Sequence, residues 1–205
     1  MNYAKLADQA SLAKTVEGLQ AHGYTVEQVK TGAEALEKIK TSIPKGASVM
    51  NGSSTTLQQV GYVDYLKAGQ HGWNNLHEAI AAEKDPVKQA QLRKDAFVAE
   101  YYLGSVHALI ENGEFIIASN TGSQLPHIVY TSQNLIFVVS TKKIVPSLDE
   151  AMSRLKQHVM PLEDERMKKA YGMGTVLNKT LIFHGESTFT GRKITFILVE
   201  EDLGY

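Results

Sequence analysis

The chain is 205 residues long, 43% hydrophobic and 21% charged, the make-up of one ordinary globular domain that buries roughly 70% of its unfolded surface. Twenty-one Lys and Arg stand against 22 Asp and Glu, and a net charge of −1 offers nothing to nucleic acid or an anionic membrane. Cysteine is absent, which excludes disulfides, thiolate catalysis and any iron–sulfur cluster held by this chain itself.

The amino-terminal stretch "MNYAKLADQASLAKTVEGLQ" is amphipathic and predicts a helix over about 3–21 that stops near Gly23. It has no apolar core like that of a signal peptide, and no stretch reaches 18 apolar residues. A cytoplasmic location with no transmembrane helix is therefore expected. "YTVEQV" reads as a short strand. Thr31 reads as the N-cap of "GAEALEKIKTSI", a helix that ends at the Pro44–Gly46 turn. "ASVMN" is a second strand. From residue 55 to about 103 the pattern is helical, broken at Gly69, Gly72 and Asp85–Pro86.

After Gly104 the period changes. "SVHALI" and "EFIIAS" flank Asn112–Gly113, a strong hairpin signal. "NLIFVVS" is almost wholly apolar, as expected of a strand with helices on both faces. Ser147 is a plausible cap for "LDEAMSRLKQHVM", which Pro161 should close, and a charged helix follows over about 163–170. "TLIFHG" and "KITFILVEE" supply two last strands. The alternation predicts one α/β domain with a largely parallel sheet, spanning 1–205 and including an N-terminal helix over about 1–22.

Several chemistries can be set aside. The chain has no Gly-x-x-x-x-Gly-Lys-Ser/Thr and no Gly-x-Ser-x-Gly, and "GMGTVL" lacks the third glycine of a dinucleotide fingerprint. The seven histidines, at 22, 71, 77, 107, 127, 158 and 184, include no pair at helical ligand spacing, so no metal site is expected. His107 and His184 lie in apolar strands and read as satisfied core or edge imidazoles.

Small polar loops remain, each directly after a strand. The first is Gly52–Ser53–Ser54–Thr55–Thr56, the second "SNTGSQLP" over 119–126, and the third "STKKIVP" over 140–146. Ligands of parallel sheets gather at the carboxyl ends of strands, so the three loops could face one crevice. Gly52 and Gly122 allow close backbone approach. Ser53, Ser54, Thr55, Asn120, Thr121, Ser123 and Gln124 offer hydroxyls and amides, and Lys142 and Lys143 offer cations. The first loop reads either as an anion-binding helix start or as a simple N-cap.

"NGSSTTLQQVG", "ALIENGEFIIASNTGSQLP", "LIFVVSTKKIVPSLDEAMSRLK" and "GRKITFILVEEDLGY" together resemble the lactate-utilisation (LUD) domain family, from about residue 10 to the carboxyl end. The resemblance implies the fold shared by ribose-5-phosphate isomerase, glucosamine-6-phosphate deaminase and CoA transferases, a single three-layer α/β domain. It implies an accessory role in bacterial oxidation of lactate to pyruvate, beside iron–sulfur or flavin oxidoreductase subunits, with no redox cofactor on this chain. In that superfamily a Gly-Ser/Thr loop after an early strand holds phosphate or CoA, and Gly52 to Thr55 match it in kind.

A weaker likeness concerns Glu111–Asn112–Gly113. Class I CoA transferases carry Glu-Asn-Gly, whose glutamate attacks an acyl-CoA; Glu111 is the matching carboxylate. The sequence departs at once, because "EFIIAS" stands where a glycine-rich loop is expected, and Asn-Gly also serves a hairpin. Two functions are therefore weighed. One is an accessory protein binding a small phosphate- or CoA-type anion and partner subunits, with self-association left open. The other is a free-standing enzyme acting on a CoA thioester or sugar phosphate.

Overall fold

A computed structural model describes residues 2–205. In chain order the elements are α1 (Gln9–Ala21), β1 (Thr25–Val29), α2 (Gly32–Ser42), β2 (Ser48–Asn51), α3 (Thr55–Gln59) and α4 (Tyr62–Lys67). There follow β3 (Asn74–Asn75), α5 (Leu76–Ala82), α6 (Pro86–Asp95), β4 (Tyr101–Gly104), β5 (Ala108–Ile110) and β6 (Phe115–Ser119). The last are β7 (Asn134–Ser140), β8 (Ile144–Val145), α7 (Leu148–Arg154), α8 (Met160–Tyr171), β9 (Lys179–Phe183) and β10 (Lys193–Val199).

Local signals explain where the helices begin. The Asp8 carboxylate accepts from Ser11 N–H and starts α1, later than the periodicity of 3–21 suggests. Thr31 and Glu34 form a reciprocal capping box on α2. Asp85 caps α6, with Pro86 in its first turn.

Six strands form a parallel sheet in the order β1-β10-β7-β4-β2-β3. Its two faces alternate residue by residue. Leu135, Phe137 and Val139 of β7 join one core with Phe196 and Leu198 of β10 and Leu12 and Leu19 of α1. Ile136 and Val138 join the other, with Ala35 and Ile39 of α2, Leu57 of α3 and Tyr62 and Leu66 of α4. This is the α/β architecture expected from the sequence.

A second sheet, β8-β5-β6-β9, stacks on the first. Phe115 and Ile117 face the large sheet, while Ile116 and Ala118 face Ala151 and Leu155 of α7 and the turn after it. Strands β5 and β6 are apolar on both sides because a sheet covers one face and a helix the other. Their three-residue turn, Glu111 to Gly113, forces antiparallel pairing, so they could not enter the parallel sheet together. Phe115 sits at the junction, its ring 4.7 Å from Phe183, 5.4 Å from Phe137 and 5.4 Å from Phe196.

Two expected boundaries differ. The helix expected to run to about 103 ends at Asp95, and Tyr101–Gly104 form β4 between β2 and β7. The apolar spacing of "FVAEYYLG" fits both periods, and pairing to β7 decided it. Pro161 does not close a helix either. A π turn at Leu155–Val159 joins α7 to α8, which begins at Met160 and carries Pro161 in its first turn, where no N–H is needed. Among the described residues no helix is long and apolar enough to cross a membrane.

Candidate functional site

In a parallel sheet the loops after β2, β4, β7 and β10 all leave from one edge, and here they meet. Lys143, three residues past the end of β7, is 4% exposed. Its ammonium donates to Thr56 Oγ1 at 3.0 Å, Ser105 Oγ at 3.0 Å and the Val106 carbonyl at 3.2 Å. These partners follow β2 and β4, so one side chain ties three strand ends. None is a carboxylate. Burial, then the positive charges of Arg154 and Lys142, push the Lys143 pKa well below the ordinary lysine value.

The segment after β10 closes over the same edge. Lys142 pairs with Asp202 and donates to the Gly204 carbonyl at 2.7 Å. Gly204 N–H donates to Gln59 Oε1 at 2.5 Å, and Leu203 is buried beside α3 and α4.

The first loop is an N-cap at least. Ser54 Oγ accepts from Leu57 N–H at 3.2 Å and starts α3, which has only five residues and hence a small dipole. Ser53 is exposed, while Ser54 and Thr55 are half-buried. Gly52 is set by packing: a Cβ there would lie 2.5 Å from Tyr102 Oη. Tyr102 is buried and stacks on His127 at 5.0 Å with an interplanar angle of 15°. Burial lowers the His127 pKa to about 4.

The second loop leaves the small sheet. Gln124 is its link to the first, with Oε1 3.8 Å from a Cβ built on Gly52. Asn120 turns to β9 instead, bonded to Asn178 and Lys179. The Thr121 and Ser123 hydroxyls bond each other at 3.2 Å, and Gly122 packs beside the Lys179 side chain. The structure thus brings Lys143 together with the first loop through Thr56, and Gln124 beside Gly52, but leaves Asn120 to Ser123 with the small sheet.

Glu111 directly follows β5 and opens the hairpin turn. Its carboxylate accepts from Ser11 Oγ at 2.5 Å and pairs with Lys14 at 3.3 Å, both on α1. The Asn112–Gly113 turn lies against Gly18 so closely that a Cβ on Gly18 would fall 2.4 Å from the Asn112 carbonyl carbon. The three letters therefore also dock α1.

Of the two histidines read as core or edge groups, His107 accepts Ala118 N–H through Nδ1, and burial lowers its pKa to about 3. His184 is exposed and pairs with Glu114. Sequence reasoning missed Thr56 and Ser105 as partners of Lys143, and it missed Arg154. Ser105 reads in sequence as the first residue of the strand "SVHALI", whereas β5 begins at Ala108 and Ser105 lies in the loop after β4; Arg154 looked like one more charge on an amphipathic helix.

The family model for the LUD domain matches residues 12–183. No curated protein matches the chain. Among solved structures, a DUF162 family protein from Deinococcus radiodurans is similar with a TM-score of 0.57 and 14% sequence identity. The match covers 95% of this chain and 99% of that one, and at that identity it speaks for the fold alone.

Proposed function

Because this chain belongs to the LUD domain family, linked to lactate utilisation, we propose that it is an accessory protein of that process which binds a small phosphate- or CoA-type anion. The observation that carries the reading is Lys143: a buried ammonium at the carboxyl edge of a parallel sheet, whose three hydrogen-bond partners among the described residues are all neutral oxygens. A cation so placed is stabilised by an incoming anion, which supplies the charge the fold withholds. Thr56 and Ser105 accept from the ammonium through oxygen, which leaves their hydroxyl protons to donate to the same ligand. The chain has no cysteine for an iron–sulfur cluster, and redox chemistry falls to partner iron–sulfur or flavin subunits.

Calorimetric titration with inorganic phosphate and with CoA tests the anion site. Saturable binding that falls at least tenfold in Lys143→Met is the expected result; equal affinity in the variant overturns it. Co-purification with an iron–sulfur or flavin oxidoreductase tests the accessory role. Turnover of a CoA ester by the isolated chain would replace that role with the free-standing enzyme.

A further inference from the structure

Arg154, the last residue of α7, is fully buried at 0% exposure. One terminal nitrogen, Nη1, donates to the His107 carbonyl. The other two, Nε and Nη2, have no hydrogen-bond partner among the described residues. Those two lie on one edge of the guanidinium and form the side-on fork that matches a carboxylate with two parallel N–H···O bonds.

A second unpartnered group belongs to the same face. His158 follows Arg154 by four residues, across the π turn at Leu155–Val159, and its Nε2 is also buried without a partner. The Tyr3 ring covers both, 5.5 Å from the His158 ring and 5.9 Å from the guanidinium. At that distance the ring is a weak counter-charge. The Tyr3 hydroxyl donates to Glu150 at 2.6 Å, and its side chain packs at the edge of the core that α7 forms with β5 and β6. Buried polar groups are ordinarily bonded, and a buried guanidinium ordinarily meets an anion. The three buried nitrogens, on two side chains that both contact the Tyr3 ring, meet neither expectation.

We propose that Arg154 and His158 form a binding site for a small monocarboxylate, with the free Nε/Nη2 edge of Arg154 taking both carboxylate oxygens, His158 Nε2 bonding the same ligand, and Tyr3 closing over it. The site goes beyond the Lys143 reading: it lies between α7 and the segment before α1, and its ligand is planar and carries one charge. Entry requires the Tyr3 segment to lift, while the guanidinium stays held by the His107 carbonyl. The π turn supports the assignment, since such bulges recur where a helix must aim side chains at a ligand.

The test is titration of the full chain with acetate, lactate and pyruvate, followed by calorimetry and by the side-chain Nε–H resonance of Arg154. The expected result is saturable binding of at least one of the three, with a shift of that resonance. Arg154→Lys keeps the charge but loses the fork, and should weaken binding tenfold or more. His158→Gln should weaken it less. No saturable binding in the unmodified chain, or undiminished affinity in Arg154→Lys, overturns the proposal. If Arg154→Lys does not fold, the resonance in the unmodified chain decides: a saturable shift supports the site and an unmoved one refutes it. The reporter is Arg154 itself, so the outcome does not depend on whether phosphate binds at Lys143.

Discussion

Acid should loosen this fold well before its carboxylates titrate. His127 is 1% exposed, and burial lowers its pKa to about 4, against 6.5 for the free side chain. Between those values the unfolded chain binds a proton that the folded chain refuses, so stability rises with pH across the window. Each unit is worth about 1.4 kcal/mol, so moving from pH 6.5 to 5 removes about 2 kcal/mol through His127 alone. His107 acts in the same direction, because burial and the charges of Lys143 and Arg154 lower its pKa to about 3. Protonation there would also displace the Ala118 N–H from Nδ1. Its share reaches up to about 2 kcal/mol more at pH 5. Glu114 and Glu200 also have lowered values, held by His184 and Lys30, but their losses begin only below the ordinary 4.5. Urea denaturation at pH 7, 6 and 5 measures the effect, and His127→Gln should flatten the slope by about half. A stability that stays level between pH 6.5 and 5, or a slope untouched by His127→Gln, would refute the reasoning.

Gly113 has φ +91°, and a Cβ there would lie 2.5 Å from the Gly18 carbonyl carbon, so Gly113→Ala should cost at least about 1–3 kcal/mol and loosen α1; chemical denaturation and amide exchange in α1 check this. Gly52→Val should lower stability as well as ligand affinity, because the new side chain meets the buried Tyr102 hydroxyl; a melting temperature equal to that of the unmodified chain would contradict the packing described.

Much of the fold was legible in local patterns. Capping signals at Thr31, Asp85 and Ser147 mark helix starts, and Asn112–Gly113 marks the hairpin, because each rests on interactions among residues close in the chain. The apolar runs of β7 and β10 announce strands buried on both faces. Lys143 and the small polar loops could be singled out for the same reason: their chemistry is written in their own letters.

What stands opposite each of these was decided by tertiary structure. Tyr101–Gly104 is a strand because β2 and β7 flank it, and β5 and β6 are doubly buried because a second sheet stacks on the first. Gly52 answers to Tyr102, fifty residues away, and Lys143 finds Thr56 and Ser105 across two strand ends. Arg154 has the composition of a surface charge and the position of a core residue. Burial and partnership are sums over distant contacts, and no window of sequence carries them. Residue type and spacing set which groups can do chemistry; the packing of α7 and the turn after it against the small sheet set which of them are left buried without a partner.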